Sequence, residues 1–270
     1  MIPERLLDIV RRTDSTLSHF PSTLFYNEGW MLKLLLDAFQ TEGIRNHPLS
    51  FQTGARWYSE ARLPSPFSAE KRGDGKGEGS TCADGTLGHF EFRKGTIAGL
   101  VLKDSATQFI VTEAKMGSKL SAKTTNAPGY DQAARNVACM AEAIRRWIDS
   151  TEKNGEPRSL GDLTSVGFYV IAPSDTADKH SPRMEVAAIR TAVEARMRAY
   201  NTNSSELETW GKAYFTPLMD RISNDNLKIL SWESCIEAVR SQNQQTGDEL
   251  FKFYSACLEQ TKIKTNPDHG

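Results

Sequence analysis

The sequence predicts an α/β fold, a central mixed β-sheet flanked by helices, in a single domain of 270 residues. Three observations predict it. Amphipathic helical segments and short apolar strands follow one another as helix, strands, helix, strand, helix, an order that packs as helices over a sheet. The apolar fraction, 39%, is that of an ordinary globular core. One strand, at residues 108–111, runs into a carboxylate and an ammonium, Glu113 and Lys115. Charge at the end of an apolar strand is costly unless partners or a ligand compensate it.

Taken in order, residues 1–12 predict a short helix, and Ser22 or Thr23 caps a second one reaching about residue 40. On that second helix Leu24, Glu28, Met31, Leu32, Leu35 and Phe39 share one stripe, so Glu28 faces the core or a cleft. A carboxylate that complements the helix dipole is the ordinary alternative for Glu28. Residues 55–63 alternate as a strand, stopped by Pro64 and Pro66. Residues 71–80 form a glycine-rich surface loop; they lack the Gly-x-x-x-x-Gly-Lys-Ser/Thr pattern and do not join a strand to a helix, which excludes a nucleotide-phosphate loop.

Ala83-Asp84-Gly85 leads into a strand at 86–92, and Asp-Gly is by itself a turn signal that could account for Asp84. A strand at 98–103 then precedes the strand at 108–111, making a meander of short strands. Residues 119–130 are a polar loop. Pro128 suits the first turn of a long helix reaching about residue 150, with Tyr130, Ala134, Val137, Ala141, Ile144 and Ile148 on its buried face. Gln132, Arg135, Asn136 and Cys139 lie to one side of that face. Asn154-Gly155 breaks the chain before a strand at 166–172; a helix at 184–200, a strand at 227–232 and a helix at 249–261 close it. The core is expected over about 20–175, with a mainly helical C-terminal addition over about 180–265.

The formal net charge of -1 excludes bulk attraction to nucleic acid or anionic lipid, so any such partner must meet a local patch. No run of 18 apolar residues predicts a membrane span, and the first fourteen residues carry charges instead of a secretory apolar region. Cys82, Cys139, Cys235 and Cys257 show no Cys-x-x-Cys spacing and the five histidines are scattered, which fits a reducing cytoplasm and argues against a zinc site or disulfide framework.

Strand alternation places Phe109, Val111, Glu113 and Lys115 on one face and Ile110, Thr112 and Ala114 on the other. The acid-x-Lys tripeptide occurs twice, at Asp74-Gly75-Lys76 and Glu113-Ala114-Lys115, about as often as chance allows. Context separates them: the first lies in the glycine-rich loop, the second closes a hydrophobic strand. Glu28 on a first helix, Asp84 at a strand start, Glu113-Ala114-Lys115 at the next core strand's end and a helix opening Tyr130-Asp131-Gln132 together resemble the PD-(D/E)XK nuclease superfamily, which has the restriction-endonuclease-like fold. The resemblance spans about residues 24–171. The sequence departs from the pattern in two ways: Ala83 stands where a proline would precede Asp84, and the interval from Asp84 to Glu113 can hold an extra hairpin. That interval makes Glu60, on the preceding strand, a rival to Asp84.

The resemblance implies a metal-dependent nuclease in a prokaryotic or phage setting, hydrolysing phosphodiester bonds in nucleic acid, DNA before RNA, with no membrane partner and room for a homodimer. It implies Mg²⁺ or Mn²⁺ on Asp84 and Glu113, with the Ala114 carbonyl as a third oxygen and Glu28 binding directly or through water. Lys115 would orient the attacking water or stabilise developing charge, and Gln132 would brace the site or touch substrate. Lys119, Lys123 and Arg135 would line a phosphate track, the plainer alternatives being a solvated loop and an Arg135–Asp131 pair. A silent member of the fold that binds nucleic acid or protein, and an unrelated α/β protein with a plain ion pair, are the competing readings. His89 reads as a hydrogen-bonded structural residue, and Trp57 and Trp147 as core.

Overall fold

Apolar stripes on the helices pack against both faces of one central sheet, giving a helix–sheet–helix arrangement. The computed structural model describes residues 2–12, 20–69, 74–121, 123–124, 127–150, 157–200, 204–223 and 225–265. Its strands are β1 (Arg56–Tyr58), β2 (Ala61–Leu63), β3 (Thr81–Ala83), β4 (Gly85–Gly88), β5 (Phe90–Phe92), β6 (Leu100–Leu102), β7 (Gln108–Ala114), β8 (Lys123–Thr124), β9 (Ala127–Pro128), β10 (Ser165–Ala172) and β11 (Leu227–Ser231). Its helices are α1 (Ile2–Arg11), α2 (Glu28–Thr41), α3 (Gln132–Asp149), α4 (Ser181–Met184), α5 (Val186–Tyr200), α6 (Ser204–Trp210), α7 (Thr216–Ile222), α8 (Trp232–Gln242) and α9 (Gln244–Thr265).

Five strands form the central sheet in the order β1-β4-β7-β10-β11. β1, β4 and β7 pair antiparallel, while β7, β10 and β11 pair parallel, which makes the sheet mixed, as expected. Parallel neighbours need a crossover. α3 supplies it between β7 and β10, and α4 to α7 supply it between β10 and β11. Phe109, Val111, Phe168 and Val170 pack with α3, α5 and α7 on one face. Leu87, Ile110, Ala114, Ile171 and Leu230 pack with α2, α8 and α9 on the other. The C-terminal region is therefore more than a helical addition to a finished core: β11 completes the sheet, and α8 and α9 join α2 in covering one of its faces.

Several boundaries differ from the sequence expectation, each for a local reason. α2 starts beyond Ser22 and Thr23, because Ser22–Leu24 forms its own 3-10 turn and the Asn27 side chain caps α2 by accepting from the Trp30 amide. Leu24 thus falls outside the helix and is exposed, whereas Met31, Leu32, Leu35 and Phe39 are buried. The strand expected at 55–63 is two strands, divided where Glu60 takes a left-handed φ of 63°. The strand expected at 86–92 is also two, divided after Gly88, whose φ is 140°. A Cβ on Gly88 would lie 2.0 Å from the Gln108 carbonyl oxygen, so β4 and β7 approach this closely only with glycine there. Pro128 lies in β9, and α3 starts at Gln132 under an Asp131 cap. The helix expected at 184–200 breaks at Glu185, which is extended. Among the described residues no helix is long and apolar enough to cross a membrane.

Candidate functional site

β7 is the middle strand of the sheet, and all seven of its residues are buried. Alternation turns Glu113 towards the α3 face, where it is 1% exposed, and Lys115 follows just past the strand end at 8%. Lys115 Nζ donates to Glu113 Oε1 at 2.7 Å. The lysine backbone is held by tertiary contacts: its N–H donates to the Ile171 carbonyl at 2.8 Å, and its carbonyl accepts from Trp232 Nε1 at 2.9 Å.

α3 supplies two amides to the same carboxylate. Gln132 Nε2 donates to Glu113 Oε1 at 2.5 Å, and Asn136 Nδ2 donates to Oε2 at 3.2 Å. A spacing of four places the two amides next to each other on one helical face. The Asp131 side chain accepts from the Ala134 amide at 2.9 Å and secures the turn from which Gln132 projects.

Asp84 comes from the opposite side of the strand end. It lies between β3 and β4, and its Oδ2 accepts from the Ala114 amide at 2.8 Å. The Asp-Gly dipeptide makes no hairpin turn here. The chain runs on through it and changes partners, β3 pairing with β2 and β4 pairing with β1 and β7. Gly85 is needed for close approach instead: a Cβ there would lie 2.4 Å from Thr112 Oγ1 and 3.1 Å from Leu32 Cδ2.

Glu113 is pushed well above the usual carboxylate range, to about 8. Burial is the largest cause and the neighbouring Asp84 charge the next; Lys115 pulls the other way without prevailing. A buried acid with a half-buried one beside it resists joint ionisation, and a cation between them would relieve that resistance. Among the described residues no three His, Cys, Asp or Glu side chains converge as a metal cage. Two carboxylates remain, and Mg²⁺ needs only one or two, because it keeps several of its waters. Asp84 and Glu113 carry oxygen donors of that hard kind.

The structure thus brings Asp84, Glu113, Lys115 and Gln132 together. Glu28 is half-buried at the start of α2, one turn before Leu32, and makes no direct hydrogen bond or ion pair with those four. Its charge is felt instead by the Cys257 thiol of α9. Glu60 is exposed, although its backbone N–H donates to the Ala83 carbonyl at 2.9 Å, next to Asp84. Lys119 is exposed, and the side chain of Lys123 lies outside the described residues. Arg135 is engaged elsewhere: its Nε lies 3.3 Å from Glu78 Oε2, and its guanidinium donates to the Gly79 carbonyl at 3.3 Å. The pairing with Asp131 does not form, since Asp131 is the α3 cap.

Sequence reasoning passed over two contributions. Asn136 was placed beside the buried face of α3, yet it is 1% exposed and bonded to Glu113. The segment after β10 brings up buried His180, whose Nδ1 accepts from the Leu120 amide at 3.4 Å. Its pKa is lowered by burial and by the charges of Lys115, Lys179, Arg183 and Lys119. These four cations therefore lie near His180, with Lys115 among them at the strand end. The available signal was position: 174–184 directly follows β10, and ligands of open α/β sheets gather beyond the carboxyl ends of the parallel strands. No family model, curated protein or solved structure matches the chain.

Proposed function

We propose that the chain is a metal-dependent phosphodiesterase that cuts nucleic acid, DNA in preference to RNA, in the manner of PD-(D/E)XK nucleases. The observation that carries this reading is buried Glu113 with half-buried Asp84, and Lys115 beside it, at the carboxyl end of the central strand. A buried ion pair is a poor source of stability, and adding a second acid makes it worse. A hard divalent cation, Mg²⁺ or Mn²⁺, would supply charge neutralisation for the phosphate and a water made acidic enough to attack it.

The chain's own groups prepare for this. Gln132 and Asn136 pin one oxygen each of Glu113, so that its carboxylate plane is set before any ligand arrives. Asp84 is oriented by the Ala114 amide. Lys115, anchored on Glu113, brings a positive charge to where the attacking water and the phosphate would meet. Lys119, Lys179 and Arg183, near His180, add positive charge that attracts the polyanion.

The test is incubation of the purified chain with single- and double-stranded DNA and RNA, with Mg²⁺, Mn²⁺ or EDTA. Cleavage should require metal and be absent in Glu113→Gln. If no substrate is cut while Mn²⁺ still raises the melting temperature and nucleic acid still binds, the chain is a silent binding module. If Mn²⁺ has no effect either, the metal-site reading falls.

A further inference from the structure

A second site lies along α3, away from the carboxylates. Ala143, Arg146 and Trp147 of α3 close one side of a cavity of about 420 Å³, with β2 and the β5–β6 hairpin on the other. It is about 16 Å along the helix from Gln132, taking 1.5 Å per residue. Arg62, Arg93 and Arg146 line it together with Ser80, while Pro64 and Leu100 form an apolar wall; among the described residues no acid lines it.

The charge of this cavity is unbalanced. Arg146 pairs through Nε with Glu142 at 2.7 Å, but Glu142 is also shared with Arg145. Arg62 and Arg93 are exposed and have no carboxylate partner among the described residues. Arginines concentrated in one concavity of a chain whose net charge is -1 repel one another unless an anion joins them. Planar guanidinium forks suit the oxygens of a phosphate. The volume falls within the range of about 300–1,000 Å³ typical of small-molecule sites, more than a lone phosphate fills, and the apolar wall suits an attached sugar and base.

We infer that this cavity is a subsite for one nucleotide of the substrate strand, several steps from the bond that is cut; the inference rests on the nuclease reading above. Chain connectivity supports the link. Ser80 at the cavity and Asp84 at the carboxylates are joined through β3. Four residues of extended chain span about 13 Å. That matches roughly four nucleotide steps at about 3.4 Å each along a stacked strand.

The experiment measures fluorescence anisotropy of a labelled single-stranded DNA oligonucleotide with the full chain in EDTA, across a salt series. Arg62→Gln combined with Arg93→Gln should weaken binding about tenfold and lower the salt slope by about one unit. Lysine at both positions should restore the salt slope, which follows charge, but only part of the affinity, which also needs the guanidinium fork. Unchanged affinity and slope in the glutamine variant, with its melting temperature intact, overturns the subsite. So does deoxyadenosine monophosphate raising the wild-type melting temperature as much as the oligonucleotide does, through the same arginines, because the cavity would then serve free nucleotides. Mn²⁺ stabilisation in the same samples separates the two claims. If it persists while the arginines prove irrelevant, only the subsite falls. If it is absent while the arginines still govern DNA binding, the nuclease reading falls, and with it the assignment to a substrate strand.

Discussion

The two ends of β7 each bury a polar side chain to the same degree, and they treat it in opposite ways. At the amino end Gln108 is 1% exposed and fully occupied: Oε1 accepts from the Gln52 amide at 3.1 Å, and Nε2 donates to the Ser50 carbonyl at 2.8 Å and to Ser165 Oγ at 3.2 Å. His89 completes the cluster. Its Nδ1 accepts from the Thr107 and Gln108 amides at 3.3 Å, so Nε2 carries the proton and donates to the Thr53 carbonyl at 3.0 Å. Everything there is paired, and β7 is tied to the neighbouring loops through Ser50, Gln52 and Thr53. At the carboxyl end Glu113 is equally buried but stands beside a second acid, with its pKa forced up. Burial of polar groups is therefore not what marks a functional site. What marks it is burial whose electrostatics only an added ligand would satisfy.

Substitutions at the carboxyl end should break function and spare the fold. Glu113→Gln and Asp84→Asn are each expected to cut metal-dependent turnover by at least about a hundredfold while the melting temperature holds or rises, since like-charge repulsion is relieved. Gel-based cleavage assays alongside thermal melts would check this; a variant that cuts as the parent does removes that carboxylate from the site.

The amino end should show the reverse. Gln108→Leu leaves the Gln52 amide and the Ser50 carbonyl without their partner, at a cost of about 1–3 kcal/mol in urea unfolding. Turnover per folded molecule should be unchanged. A loss of activity without a loss of stability would show that the two ends are coupled rather than separate.

Titration sharpens the contrast. Glu113 holds its proton more tightly folded than unfolded, so its stabilising contribution is complete below about 4.5 and is lost as pH rises to about 8. Metal must displace that proton, so the Mn²⁺-induced rise in melting temperature should grow over the same interval. In Glu113→Gln both slopes should flatten, whereas Gln108→Leu should keep them. Metal stabilisation that is equal at pH 5.5 and pH 8.5 would contradict the arrangement.

The smallest effect is expected at Arg135. Its Nε and the facing Glu78 Oε2 are both buried but too loosely aligned to hydrogen-bond, so Arg135→Ala should cost about 1 kcal/mol. The salt dependence of DNA binding should stay as it is. A slope that falls by a full unit would return Arg135 to the phosphate track.

Much of this was legible in the sequence because it depends on local periodicity. Met31, Leu32, Leu35 and Phe39 mark α2, the run from Gln108 marks β7, and the residues from Ser165 mark β10, since a repeat of 3.6 or 2 is written in neighbouring positions. The same alternation brings Glu113 and Lys115 to one face with no knowledge of the fold. Element ends were less legible. Asn27 rather than Ser22 caps α2, a choice between nearby residues of the same capping type, while Glu60 and Gly88 divide what reads as continuous strand because each meets a partner far along the chain, Ala83 and Gln108.

Tertiary structure alone decided what meets Glu113. Asp84 reaches the end of β7 because β4 pairs with β7, and Gly85 permits that approach under α2. Asn136 becomes buried because α3 crosses over that strand end, and α2 lies over the same region, presenting Leu32 to Gly85. The cations at Lys179 and Arg183 arrive because β10 lies parallel to β7, so the segment after it ends at the same edge. Local pattern sets which way a side chain points from its own element. Which elements become neighbours depends on long-range pairing and on the burial of whole faces, so the chain itself supplied the acid and the lysine of β7, and the sheet supplied their partners.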